Sequence, residues 1–410
     1  MARGQTKRKE RKDIVVCGAN GFTGNKLLEM VVKQRPHLKV GATCRTEEKA
    51  NEVLKLLSNL KQKTPPQLTM HVVDATDTEK LAKIFQEYKV VINCIGPFIY
   101  TGLPVVSAAV KAGTDYVDCT GEPGFIEKSM DMFKHDAEKE NVLVVHACGF
   151  DSLPVDIGMM YTVQEVNKRG ETGPLHAESY LEVFNANINI GTFKTAVASI
   201  DELKSRKTAK KGRNKTKEKP RKIRKFPFFS KDLGKYCVMF PGSDSYVLRR
   251  TREFLNGAHP LCHCYFAVPT ALSLVFLLFF MVLLFVTHIS PGFIRSFIYS
   301  HIDAITMGKV RKNGPTKKEI ESSRFEMKIV VKGSNTENKH FKLTGVVSGP
   351  DPGYVTTPIA LLTSAETILH NRGDALKNRK GVLTPAAAFH DTDIITRLTD
   401  EKIIFRVEKE

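Results

Sequence analysis

The chain has 410 residues, 42% of them hydrophobic, enough for two domains or for one domain with a large insertion; a wholly disordered chain is excluded. Its eight Cys form no paired framework of a secreted, disulfide-stapled module, and five of them (Cys17, Cys44, Cys94, Cys119, Cys148) sit in or beside short apolar runs, as small buried hydrophobes in a reducing compartment do. The net charge of +18 is localised: residues 1–12 carry +5 and Lys204–Lys225, with thirteen Lys/Arg against Glu218, carry +12, so the remaining body is nearly neutral.

Residues 1–12 read as a basic disordered tail with no apolar stretch behind the charges, so no signal peptide is expected. Residues 13–160 then alternate short β-branched runs with helical patterns. Strands are predicted at 14–17, 38–42, 71–73, 90–94, 116–119 and 142–147, with helices between them, including one that starts at Pro104 and ends before Gly113. Such alternation predicts an α/β domain, a doubly wound parallel sheet covered on both faces.

The first strand runs into Gly18-Ala19-Asn20-Gly21-Phe22-Thr23-Gly24 and then a helix. This is the G-x-x-G-x-x-G form of the Rossmann dinucleotide fingerprint, in which glycines permit a tight turn and let backbone approach a pyrophosphate at a helix N-terminus. All seven residues are candidate cofactor contacts. After the second strand no acid precedes Glu47, and Arg45 stands where a 2′-phosphate would need a cation, which favours NADP over NAD; the alternative for Arg45 is a surface residue at a helix start. Asp74 after the third strand, and Asn93, Gly96 and Pro97 after the fourth, are further candidates because ligands lie beyond the carboxyl ends of such strands. Helix-cap or turn roles are the alternatives.

Residues 161–350 read as an inserted α+β domain, with half-buried antiparallel strands at 177–184, 324–331 and 341–347. Within it, 204–225 is a Lys/Arg-rich loop suited to anionic headgroups or simply solvated, and it has no aromatic interleaving of a nucleic-acid surface. Between Glu253 and Arg295 there is no acid, Lys or Arg, and 267–286 is twenty residues without a polar stripe, about 30 Å as a helix. This predicts a membrane-associated segment, against a buried core helix as the alternative, followed at 293–307 by an interfacial amphipathic helix. The last part, 351–410, includes an apolar-faced helix at 356–370 and is expected to pack back on the first domain.

Several segments together, VVCGANGFTG, NCIGPFIYTGLPVV, YVDCTGEPGF, GFDSLPVDIG, GPDPGYVTTPIAL and VLTPAAAF, resemble the saccharopine dehydrogenase-like oxidoreductase family of animals and, more distantly, the saccharopine reductase fold and bacterial trans-acting enoyl reductases. The resemblance runs from about Asp13 to Val407 and implies a Rossmann domain with a second domain inserted before the chain returns. It also implies association with lipid droplets or membranes, mitochondrial ones included, and through the bacterial relatives a link to glycolipid synthesis.

It supplies no reaction. No Tyr has Lys four residues on, as the short-chain reductase dyad requires, and the scattered cations Lys194, Arg249 and Arg250 do not make a saccharopine site. Tyr100, Asp151, Ser152 and Lys194 are the candidate catalytic residues at the domain junction, with helix capping as the alternative for Asp151 and Ser152. The His residues have no metal-ligand spacing, and Cys262-His263-Cys264 is too tight for a zinc half-site, so no metal is expected. The expected function is an NADP-dependent oxidoreductase acting on a lipid or hydrophobic substrate at the cytosolic face of a membrane or on a lipid droplet, held monotopically; the alternative is a non-catalytic lipid-surface protein using the fold as a scaffold or redox sensor. Nucleic acid is not an expected partner, and a homodimer is left open.

Overall fold

A computed structural model describes residues 10–60, 67–171, 176–209, 224–334 and 339–408. Six strands, β1 (Lys12–Cys17), β2 (Lys39–Cys44), β3 (Gln67–Val72), β4 (Tyr88–Asn93), β5 (Asp115–Asp118) and β6 (Leu143–Val145), alternate with helices α1 (Phe22–Gln34), α2 (Glu47–Ser58), α3 (Thr78–Phe85), α4 (Phe98–Ala112) and α5 (Pro123–Lys139). The strands pair in parallel in the order β3-β2-β1-β4-β5-β6. Adjacent residues such as Val15 and Val16 are both fully buried, because helices cover both faces of the sheet. The order reverses between β1 and β4, which leaves a crevice beyond their carboxyl ends.

After α6 (Leu153–Lys168) the chain enters the second sheet: β7 (His176–Phe184), β9 (Phe228–Ser230), β10 (Lys235–Met239), β11 (Leu261–Val268), β13 (Arg324–Ser334) and β14 (His340–Pro350). The short strands β8 (Ile188–Asn189) and β12 (Val310–Arg311) pair with each other beside it. The larger order is β14-β13-β7-β11-β10-β9, with β13 antiparallel to both neighbours and β11 parallel to β7. Helix α6 lies against this sheet at close range: a Cβ on Gly158 would fall 2.5 Å from Val347 Cγ2 and 2.7 Å from Ile329 Cδ1.

The remaining helices are α7 (Ile190–Ala209), α8 (Asp244–Phe254), α9 (Ala271–Ile289), α10 (Gly292–Ser300), α11 (Ile302–Ile305), α12 (Lys317–Ser322), α13 (Thr357–Asn371), α14 (Pro385–Phe389) and α15 (Ile394–Asp400). A π-helical turn, Pro352–Thr356, leads into α13. Helix α13 is buried from Thr357 to Ile368 and lies on α1, β4 and β5. Arg35 at the end of α1 fastens it, pairing with Glu366 of α13 and with Glu401.

Several boundaries differ from the sequence reading. The tail expected over 1–12 is fold by its end: Lys12 begins β1, and Arg11 donates to the Ala112 and Gly113 carbonyls. Residues 1–9 lie outside the described residues. Pro104 is inside α4, which starts six residues earlier, while Gly113 ends that helix with φ +62° as expected. The apolar helix is shifted to 271–289, because Ala267 and Val268 pair with β10 as the end of strand β11 and Pro269 follows. Helix α7 continues to Ala209, into the run expected as a loop over 204–225, and Arg224 at the far end of that run pairs with Glu178; residues 210–223 lie outside the described residues. The C-terminal segment divides between the sheets. Strand β15 (Gly381–Leu383) extends the first beside β6, whereas β16 (Ile404–Val407) pairs with β14 of the second.

Candidate functional site

The crevice between the sheets opens into one large cavity of about 1770 Å³. The glycine loop forms one wall. Gly18 adopts φ +82°, and a Cβ there would meet Ile95 Cγ1 at 2.8 Å, so the turn needs glycine for conformation and for space. Gly24 lets α1 approach the loop, since its Cβ would lie 2.2 Å from the Gly18 carbonyl oxygen. Gly21 is different: its backbone is extended, its Cβ would meet only the Gly18 oxygen at 3.2 Å, and it lines the cavity. No side chain caps α1 and no acid lies in its first turn, so the helix N-terminus faces the cavity without a competing anion.

The rest of the loop is anchored. Ala19 donates its backbone N–H to Thr43 at the end of β2, and the Asn20 backbone N–H bonds the Cys44 sulfur. Phe22 packs edge-on against Tyr354, ring centroids 4.5 Å apart, and with Thr23 lines the cavity. These are the features a pyrophosphate-binding loop requires: a bare helix end, a cavity-facing glycine, and two glycines packed too tightly for any other residue.

Other candidates separate. Arg45 is exposed beyond β2, close to Asp74. Asp74 accepts from the Thr76 hydroxyl and backbone N–H, which with the Arg45 charge hold its carboxyl below the usual value; the carboxylate is thereby engaged in a turn. Asn93 is fully buried, donating to the Tyr116 hydroxyl and accepting from Ile95 N–H, so its side chain faces the sheet interior and not the cavity. Gly96 and Pro97, joined by a cis peptide, do line the cavity.

Among the catalytic candidates, Tyr100 is 67% exposed on the outer side of α4 and is not part of the cavity wall. Ser152 is buried, bonded to Ser243 (2.7 Å) and directed away from the cavity; it does not cap α6 with its side chain. Lys194 lines the cavity with its ammonium 5.0 Å from the Tyr299 ring centroid. Asp151 lines it at the ends of β5 and α6, its Oδ2 so close to Gly121 that a Cβ there would be 2.5 Å away. The residue is exposed to the cavity space, and the surrounding wall desolvates its carboxyl enough to push its pKa up.

A Ser–His–Asp arrangement also emerges, which the sequence did not suggest. His146 Nδ1 is 2.7 Å from Asp118 and Nε2 is 2.8 Å from Ser129. All three are fully buried and none lines the cavity, so this is a hydrogen-bonded core network without substrate access. Glu122 was equally unforeseen: its carboxylate accepts from Phe98 and Ile99 N–H and fixes the start of α4 beside Pro97. The Glu-Pro-Gly sequence at the start of α5 was its only local signal. Among the described residues no three His, Cys, Asp or Glu side chains converge as metal ligands.

The same architecture occurs in known proteins. The family described as "Saccharopine dehydrogenase NADP binding domain" matches residues 14–145. A bovine (Bos taurus) saccharopine dehydrogenase-like oxidoreductase is 31% identical over 96% of this chain and 96% of its own. The chain belongs to the saccharopine dehydrogenase-like oxidoreductase family. A Caenorhabditis elegans relative named "Lipid droplet localized protein" is 28% identical over 98% of this chain and 99% of its own. An Arabidopsis thaliana relative, named "Probable mitochondrial saccharopine dehydrogenase-like oxidoreductase", is 27% identical over 96% of both chains. In structure the chain is similar to the apo saccharopine dehydrogenase (L-Glu forming) of Saccharomyces cerevisiae, with a TM-score of 0.57 at 13% identity over 97% of this chain and 100% of that one, which shows the shared fold.

Proposed function

We propose that this family member uses NADP to reduce or oxidise a hydrophobic carbonyl, enoyl or imine compound at a lipid surface. One observation carries the proposal: the glycine cradle, the accessible carboxyl of Asp151 and the apolar helix α9 all line a single cavity. The glycine loop would hold the pyrophosphate and Arg45 the 2′-phosphate. Bound NADP supplies the hydride chemistry. Asp151, whose pKa is raised, keeps its proton to higher pH than an ordinary carboxyl and delivers it to the substrate heteroatom or carbon, to be reprotonated from solvent in the cavity. The absence of a Tyr-x-x-x-Lys dyad, which favours a non-catalytic scaffold, is met by this carboxyl. Arg45→Glu should weaken NADPH binding at least about tenfold more than NADH binding, since it sets a carboxylate against the 2′-phosphate. Calorimetry giving equal losses for the two cofactors would remove the NADP assignment.

A monotopic lipid attachment is supported by the path of the chain. Helix α9 is long and apolar enough to cross a membrane. Yet the chain leaves the second sheet at β11 and returns to it at β13, and these strands flank β7 on either side. Both ends of α9 therefore belong to one folded body, which a single span would split. One flank of α9 packs on α7 and α10, with Phe280 against Phe193 at 5.7 Å, while Leu272, Val275, Val282, Phe285 and Ile289 remain exposed. With epitope tags at both termini, protease added outside sealed microsomes should remove both. Protection of either tag would overturn the monotopic arrangement.

A further inference from the structure

The cavity extends beyond the crevice, past α7, to the N-terminal half of α9. We infer that this extension is an acyl-chain site: a long hydrocarbon chain lies between α7 and α9 with its polar, reacting end toward Asp151. The inference rests on the proposed function only for the reacting end.

Three observations carry it. First, the wall beyond the crevice is largely apolar: Ala196 and Ile200 of α7 and Phe276, Leu277 and Phe280 of α9 line it, whereas Thr195 lies beside Gly96 and Asp151 beside Gly121 at the crevice end, and Lys194, near the start of α7, holds its ammonium over the Tyr299 ring. Second, the two halves of α9 differ. Leu283 and Thr287 of the C-terminal half are buried, with Leu283 packed in a cluster with Phe193, Val197, Ile298 and Ile302, which closes that end. No residue of the N-terminal half is buried, although its side chains are as large and as apolar. Third, the cavity's roughly 1770 Å³ exceeds the ~300–1,000 Å³ of an ordinary small-molecule pocket, leaving room beside a dinucleotide.

The occupant follows from the surroundings. The same helix that walls the cavity exposes Val282 (59%), Phe285 (50%) and Ile289 (59%), which are not part of the cavity wall. A hydrocarbon chain passing from a lipid phase along α9 into the cavity exchanges one apolar environment for another, and the one polar side chain of α9 in the wall, Ser273, is already bonded to Thr270. A water-soluble metabolite would gain no side-chain hydrogen bond from Ala196, Ile200, Phe276, Leu277 or Phe280.

The chain contains no Trp, so a single introduced indole reports without background. In the full-length protein, Phe276→Trp places it in the cavity wall and Val282→Trp on the outer edge of α9. Titration with mid-chain dibrominated stearate below its critical micelle concentration should quench the residue-276 reporter saturably and the residue-282 reporter only weakly. Adding Ala196→Phe, which fills the channel from α7, should weaken the saturable quenching about tenfold or more while NADPH affinity by calorimetry stays within about twofold. Absent or non-saturable quenching at 276, equal quenching at 282, or indifference to Ala196→Phe overturns the inference. The functional proposal fails separately: saturable quenching without any NADPH binding would leave the acyl site standing and remove the oxidoreductase reading. NADPH oxidation by a short hydrophobic carbonyl compound without quenching would do the reverse.

Discussion

Gly21→Leu is expected to abolish dinucleotide binding in a protein that still folds. The three loop glycines separate here. Gly18 carries a left-handed backbone, and Gly24 would drive its Cβ to 2.2 Å from a carbonyl oxygen, so substitution at either disturbs the sheet–helix packing. Gly21 has φ −76° and ψ 164°, which any residue adopts, and its added carbon meets a single atom at 3.2 Å. A leucine there projects into the cavity at the helix N-terminus, the space a pyrophosphate needs. Calorimetry should show at least about a hundredfold loss of NADPH affinity, with the far-ultraviolet circular dichroism and thermal midpoint close to those of the parent. Undiminished binding in the folded variant would place the nucleotide elsewhere.

Asp151→Asn is the second large effect. A positioned general acid contributes about 10²–10⁴-fold, so kcat should fall by at least about a hundredfold with cofactor affinity nearly unchanged. The pH profile gives the sharper test. Desolvation raises the Asp151 pKa, so the protonated, proton-donating form persists above the ordinary carboxyl range and is lost as pH rises through the raised value. Reductive turnover in the parent should fall along that limb as pH increases, and the limb should disappear in the Asn variant. A profile with the same limb in both proteins would assign it to another group and leave Asp151 a wall residue.

The parallel sheet and its glycine loop were legible because β-branched runs, helical periodicity and loop glycines all specify the same βα unit within a few residues. What was illegible depended on distant partners. Strand β16 pairs with β14 some sixty residues away, and β9–β11 carry no alternation strong enough to reveal a neighbour. Ala267 and Val268 are as apolar as the helix after them, so composition alone could not find the strand–helix junction that pairing with β10 sets. The candidate acids divided for a similar reason. Asp151 and Ser152 are adjacent in sequence, but one faces the cavity and the other bonds Ser243 in the interior, a difference of backbone direction that no motif encodes. Tyr100 stood near the right strand end, but α4 starts earlier than its Pro104 suggested and turns that ring to solvent.

Hydride transfer between NADP and a lipid held in one cavity can be followed by the hydrogen itself. The full-length protein is incubated in lipid vesicles with NADPH deuterated at the transferable position and with a total neutral and polar lipid extract, and the lipid fraction is read by mass spectrometry. Deuterium should appear in a lipid-soluble product, be absent with Gly21→Leu and be strongly reduced with Asp151→Asn. Protein that binds NADPH and the acyl probe but leaves the whole lipid fraction free of deuterium would contradict that transfer.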